Sequence, residues 1–346
     1  YKEYKSMGEK VLCMFFLLFV FSSAYSQVGA KYTERIDSII TDVNMYGMMK
    51  YVFLYDAEGL LSEKIAYSQE EMDGKWTVSE RRGYGYDEND RISSVVVTDV
   101  LNEGVFFFEE YTYDGEGNLS SIAYKTQKMK DEVTKMNALR EFLYNEKGFL
   151  VGERRFRYQN GERKEDAQNE REYDKKGRLL VINEYVFSNH QKTLFKRTRY
   201  SYSKNGLLVT KEEQLPNAEQ QMKRDLIERR RYDEHQRLVA LSFDRGDESS
   251  DVEFCYDKNG NLIQIIDRRS INSVEEYVGC TSFAYDQNAP VSSVMGLSSP
   301  EVLSADWALR YEMNLTSKPI SVTAERGIQH PRQEKSLYYY SAISGE

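Results

Sequence analysis

One motif, Tyr-Asp-x-x-Gly-x-Leu, returns through most of the chain and limits what the chain can fold into. It reads Tyr55-Asp56-Ala57-Glu58-Gly59-Leu60-Leu61 in its first copy and Tyr113-Asp114-Gly115-Glu116-Gly117-Asn118-Leu119 in its third. The motif tyrosines are Tyr55, Tyr86, Tyr113, Tyr144, Tyr173, Tyr202, Tyr232, Tyr256 and Tyr285, so 230 residues are covered in eight steps of about 29. Self-similarity at such a period marks a repeat architecture, in which each unit buries its apolar face only against its neighbours.

Each copy reads as a hairpin. Asp at the first turn position and Gly three later suit a type I turn followed by a left-handed residue, a common hairpin loop with a bulge. That loop pairs Asp56 with Leu60 and Tyr55 with Leu61. The positions expected opposite the tyrosines are Leu61, Ile92, Leu119, Leu150, Leu179, Leu208, Leu238, Leu262 and Val291, all aliphatic. Two residues before the tyrosines stand Phe53, Tyr84, Tyr111, Phe142, Arg171, Tyr200, Arg230, Phe254 and Phe283, seven of nine aromatic. Strand side chains alternate between faces, so these positions share a face with the tyrosines, and the other face is variable. Simple alternation puts Leu180/Ile182, Val239/Leu241 and Ile263/Ile265 on that second face. Second turns are expected at Asp73-Gly74-Lys75, Asn102-Glu103-Gly104, Asn160-Gly161-Glu162, Pro216-Asn217 and Arg245-Gly246-Asp247. Residues 127–139 and 214–227 are locally compatible with helix and read as long loops or strand extensions.

The fold class is therefore all-β: an antiparallel meander of about 18–20 strands in tandem hairpins. An open twisted sheet rarely exceeds about 10 strands without curling or splitting, so a roll, a barrel-like shell or a split sandwich is expected. Residues 27–50 are the expected N-terminal edge region, 51–295 the nine hairpin repeats, and 296–346 a degenerate capping repeat. In that last segment Lys318-Pro319 is expected in the turn, and Trp307–Tyr311 and Ser336–Tyr340 as strands.

The N-terminus reads as an address. Lys10 precedes an unbroken apolar run, Val11 to Phe21, and Ala24-Tyr25-Ser26 places small residues where a signal peptidase cuts. Eleven apolar residues are too few to span a bilayer core, which needs about 20. Residues 1–26 are expected to be a signal peptide, with 1–6 upstream of the true start. The mature chain is then exported, to the periplasm, the outer-membrane surface or the exterior, with no transmembrane span.

The motif Tyr-x-Tyr-Asp-x-x-Gly-Arg/Asn-Leu resembles the YD repeat of RHS-type secreted bacterial proteins, and more closely the short secreted repeat proteins of Bacteroidetes. The resemblance covers roughly 45–290. It implies a repeat architecture and, in the large RHS proteins, a β-sheet shell around a toxin. This chain has no Asp-Pro-x-Gly segment of the kind that closes the RHS core.

Little material for site chemistry is present. Of 346 residues three are His and three Cys. His190, His235 and His330 are isolated, without the i, i+4 spacing of a helical metal site. No Gly-x-Ser-x-Gly elbow occurs. The regularly placed aspartates have a turn-making reason, whereas a catalytic pair would be one pair. Asp257-Lys-Asn-Gly-Asn261 resembles a calcium loop but lacks the distal bidentate Glu. Arg154–Arg157, Lys196–Arg199 and Arg229–Arg231 are basic runs that alternate faces on a strand and suit rungs paired with acidic neighbours. The net charge of −9 disfavours nucleic acid, which calls for a basic footprint. The tyrosine ladder fits core packing, with a sugar-binding platform as the sharper alternative.

No catalytic, cofactor-binding or metal-ligating residue is expected. The function expected is a non-enzymatic binding or structural module at the cell envelope, its partner unknown, a polysaccharide or an envelope protein. The alternatives are a glycan-directed envelope enzyme and an RHS-like shell protein. Cys255 and Cys280 are expected on the variable face of equivalent strands, with a returning strand between them.

Overall fold

The computed structural model describes residues 34–43, 47–69, 74–99, 105–128, 134–188, 191–290, 294–295, 317–326 and 332–342, all within one unit of the chain, 32–346. Residues 1–26, expected to be a signal peptide, and Trp307–Tyr311, Asn102–Gly104, His190 and His330 lie outside the described residues.

Every described element is a strand. After β1 (Glu34–Val43) come eight hairpins. They are β2 (Gly47–Tyr55) with β3 (Leu61–Gln69), β4 (Trp76–Tyr86) with β5 (Ile92–Asp99), β6 (Val105–Tyr113) with β7 (Leu119–Lys128), and β8 (Lys135–Tyr144) with β9 (Leu150–Gln159). Next are β10 (Glu162–Tyr173) with β11 (Leu179–Ser188), β12 (Gln191–Tyr202) with β13 (Leu208–Pro216), β14 (Met222–Tyr232) with β15 (Leu238–Arg245), and β16 (Glu248–Tyr256) with β17 (Leu262–Ile271). The chain continues through β18 (Val274–Pro290), β19 (Val294–Met295), β20 (Ser317–Arg326) and β21 (Arg332–Ala342). Each first strand of a hairpin ends on the motif Tyr, and each second strand begins on the aliphatic residue. Of the stretches compatible with helix, residues 127–128 and 135–139 lie in β7 and β8, and residues 214–216 and 222–227 in β13 and β14.

The turns have the expected chemistry. The Asp56 amide donates to the Leu60 carbonyl at 2.9 Å and the Gly59 amide to the Asp56 carbonyl at 3.2 Å, and the same two bonds recur in the following seven copies. The Gly slot is left-handed throughout, with φ of 85° at Gly59 and 87° at Gly117 and Gly260. Asp90 and Gln236 hold the same conformation there, at 58° and 62°, which costs a non-glycine residue free energy. The second turns at Asn160-Gly161 and Gly246 also have positive φ, and Asn217 opens a further turn of the motif type that closes on Gln221.

Neighbouring strands pair antiparallel in chain order from β1 to β18, and β18 then pairs with β20 and β20 with β21. β21 pairs with β1, so β1, expected at an edge, has strands on both sides. Bare edges invite pairing with other chains, and this arrangement leaves neither end of the meander as one. β19 runs parallel to β1 over two residues.

Two expectations are corrected. The ninth tyrosine, Tyr285, pairs with Pro319 of β20, not with Val291, so Lys318-Pro319 lies in a strand and not in a turn. The face of the residues after each turn is also inverted. In each of the eight hairpins the register shifts beside the motif Tyr: Tyr55 faces Leu61 and Leu54 faces Glu63, with Ser62 skipped. A shift of one residue moves every later side chain to the other face. Ile182, Leu241 and Ile265 therefore stand opposite Arg171, Arg230 and Phe254, on the tyrosine face.

That inversion builds the core. Phe53, Tyr84, Phe254, Phe283 and Tyr285 are buried together with Leu61, Val95, Val97, Leu241, Val252, Leu262 and Ile265. Ile36 and Ile39 of β1 are fully buried in the same cluster. One apolar cluster thus draws on β1–β5 and on β15–β18, the two ends of the meander. Burying side chains of this size stabilises by about 1.5–3 kcal/mol each. In this region the aromatic ladder is core.

Candidate functional site

The motif residues are occupied by one another. All nine motif tyrosines donate their hydroxyl to a backbone carbonyl of an earlier strand: for eight it is that of the residue opening the returning strand of the preceding unit, and for Tyr55 that of Ile36 within β1. Tyr86 donates to Leu61 at 2.9 Å, Tyr144 to Leu119 at 3.1 Å, Tyr173 to Leu150 at 2.7 Å and Tyr285 to Leu262 at 2.7 Å. Tyr55, Tyr113, Tyr202, Tyr232 and Tyr256 do the same to Ile36, Ile92, Leu179, Leu208 and Leu238. Burial raises the phenol pKa at Tyr113, Tyr144, Tyr202 and Tyr256. The sequence names the tyrosines but not their acceptors, which belong to another repeat.

In four copies the residue after the Gly slot links its turn to the next unit. Arg91, Arg178 and Arg237 bridge the carboxylates of Asp87, Asp174 and Asp233 at 2.6–2.7 Å. Their guanidiniums also lie over the rings of Tyr113, Tyr202 and Tyr256, at 4.2, 4.9 and 4.8 Å from the centroids. Phe149 fills the position by stacking on Tyr173 at 5.2 Å. The hydrogen bond from the Arg91 side chain holds Asp87 below its ordinary pKa, and the Arg178 backbone amide does so for Asp174.

Away from the apolar cluster, the tyrosine face turns polar between β7 and β14. Arg140 pairs with Glu153 at 2.7 Å, and the other carboxylate oxygen accepts from Asn169 Nδ2 at 2.9 Å. Lys196 lies 2.9 Å from Glu184 and 3.9 Å from Glu213, which also takes Lys211 at 2.7 Å. Arg230 pairs with Glu228. Burial opposes ionisation of Glu213, but Lys211 and Lys196 hold its pKa down. Tyr200, between these groups, is pushed up to about 12 by burial. Each of these carboxylates has a cation beside it, so they form a charge-compensated polar layer.

The residues singled out in the sequence are dispersed. His235 is exposed on its turn, 3.6 Å from Glu234. The Asp257 carboxylate accepts from the Asn259 and Asn261 amides and from Asn261 Nδ2 at 2.8–3.0 Å, so its oxygens serve the turn. In the basic runs Arg154 pairs with Glu165, Arg155 and Arg157 with Asp166, and Arg229 with Asp244. Among the described residues no three His, Cys, Asp or Glu side chains are placed to hold a metal ion. Cys255 and Cys280 are free, with β17 between their strands.

No protein-family model and no curated protein matches the chain. Among solved structures it is similar to a chain of the TcdB2-TccC3-Cdc42 complex, at 10% identity over 83% of this chain and 19% of that one, with a TM-score of 0.26. It is also similar to a porin-like protein from Bacteroides uniformis ATCC 8492, at 9% identity over 90% and 98% of the two chains, TM-score 0.34. A third is a protein with unknown function from Bacteroides fragilis NCTC 9343, at 12% identity over 45% and 94%, TM-score 0.21. The chain spans about a fifth of the length of the first of these. All three are likenesses at low TM-score and are no guide to activity.

Proposed function

We propose that this is an exported, non-enzymatic β-repeat protein of the YD type that serves as a binding or structural module of the cell envelope. One observation carries the reading: the repeated Tyr, Asp and Arg are spent on bonds within and between repeats, so the recurring chemistry of the chain is structural. A partner then meets the side chains that do not repeat. These lie on the variable face, where Arg81–Glu63, Arg163–Glu141, Lys192–Glu170 and Arg268–Glu253 form cross-strand pairs. A charge on the lipid side of a β-barrel costs about 2–4 kcal/mol at the bilayer midplane for Arg or Lys. The ion-paired variable face therefore supports a sheet that works in water, with a polar partner. Export is supported by the apolar run Val11–Phe21 followed by Ala24-Tyr25-Ser26.

Residues 27–346, purified and immobilised, test the reading on a glycan array and in pull-downs from envelope extracts. Retention of one glycan class or one envelope protein is expected. It should be lost on reversing Arg81 and Arg163 to Glu and kept in a Tyr113→Phe variant. Hydrolysis of any arrayed glycan would overturn the non-enzymatic reading.

A further inference from the structure

In the eight regular hairpins the pairing beside the turn has one signature. The motif Tyr faces the first residue of the returning strand, the next residue is skipped, and pairing resumes on the third, as in Tyr256↔Leu262 followed by Cys255↔Gln264. The same signature occurs where no turn joins the strands. Tyr340 of β21 faces Ile36 of β1, Asp37 is skipped, and Tyr339 faces Ser38. Tyr338 then occupies the position two before the tyrosine, opposite Ile39.

A second, independent observation puts Ile36 in the role of the motif leucine. Its carbonyl accepts the Tyr55 hydroxyl at 3.0 Å, as the leucine carbonyls accept the tyrosine of the following unit. Ile36 and Ile39 are also fully buried, as is Leu262, which opens the returning strand of its own hairpin.

We infer that β21 and β1 are the two halves of a tenth repeat, divided between the two ends of the chain, and that this split repeat is the latch joining the last unit of the meander to the first. In the eight regular hairpins a short turn fixes the register. In the latch the register must come from the strands alone, so the bulge at Asp37 and the fit of the two halves do what the turn does elsewhere. The latch can part without breaking a hairpin, and a strand supplied by a second copy of the chain would fit the same slot.

The test is a cross-link in the full chain carrying Cys255→Ser and Cys280→Ser. Opposed residues of an antiparallel pair have Cα atoms about 4.5–5.5 Å apart, within disulfide reach. Ser38→Cys with Tyr339→Cys should oxidise to a bond within one chain, at monomer mass, and raise the thermal midpoint relative to the reduced form. Ser38→Cys with Ser341→Cys, displaced two residues along the strand, should not. Cross-linking of the displaced pair, or of neither pair in a protein with unchanged circular dichroism, overturns the register. A disulfide-linked dimer overturns the latch within the chain and assigns the strand to a second copy. If the cysteine variants do not fold, a circular permutant decides: Tyr340 is joined to Ile36 by a copy of the five-residue turn Asp257–Asn261, with new ends between Lys175 and Lys176. It should fold with the parent's circular dichroism and a higher denaturation midpoint, and an unfolded permutant overturns the proposal.

Discussion

The Tyr113 hydroxyl donates to the Ile92 carbonyl at 2.9 Å, reaching from one repeat into the one before it. Phenylalanine keeps the ring and removes the donor, leaving a partly buried carbonyl without this partner. Tyr113→Phe should cost about 1 kcal/mol, the usual net value of such a bond. Tyr113, Tyr173 and Tyr232 are two repeats apart in turn, so the triple Phe variant should lose about 3 kcal/mol, because distant sites add. Urea denaturation followed by circular dichroism measures it. Unchanged midpoints would mean that these bonds are replaced by water at no cost.

The Gly slot separates two groups of turns. Gly177 has φ of 79°, and a Cβ built there would stand 2.5 Å from Phe149 Cζ. Gly117 has φ of 87°, and its added Cβ meets only Arg91 Nη1, at 3.2 Å. Gly117→Val should therefore destabilise by about 1–2 kcal/mol, and Gly177→Val by more, since the ring on Tyr173 must also move. At Gln236, already left-handed at 62°, Gln236→Gly should stabilise by about 1 kcal/mol. Thermal melts of the three variants settle the order, and equal midpoints would reject the turn assignment.

Acid should loosen the turns. Asp87 and Asp174 are held below their ordinary carboxyl value of 3.8 by Arg91 and Arg178. A depressed folded-state pKa contributes stability that is present above the unfolded value and is lost as pH falls through the folded value. The denaturation midpoint should thus fall as pH drops below about 4. In the Asp87→Asn, Asp174→Asn double variant that decline should be shallower and the midpoint at neutral pH lower. Parallel curves for parent and variant would exclude these two groups as its source.

Cys255 and Cys280 should both titrate as thiols in the unfolded, non-reduced protein. Both stand on the variable face, Cys255 opposite Gln264 and Gln264 opposite Ser282, with β17 between their strands. Two strand spacings are about 9.6 Å, beyond the 7 Å or so that a disulfide bridges. Mass mapping without reductant checks this, and a Cys255–Cys280 bond would contradict the strand order at β16–β18.

Much of this arrangement was legible in the chain because its causes are local. An Asp that bonds its own backbone, a Gly slot at positive φ, and a tyrosine opposite an aliphatic residue all act within about seven residues, and they recur often enough to declare themselves. The positions that alternation misassigned, Ile182, Leu241 and Ile265, failed for a local reason too: one skipped residue after the turn inverts the strand. Three relationships belong to the tertiary structure alone. The acceptor of each tyrosine is a carbonyl some twenty residues earlier, and carbonyls carry no sequence. Tyr285 takes Pro319 as its partner across an interruption of the repeat. Ile36 meets Tyr340 although nearly the whole chain lies between them. No spacing announces such a pairing, because it is decided by where the curled sheet brings its own ends and by the need to leave neither strand edge bare.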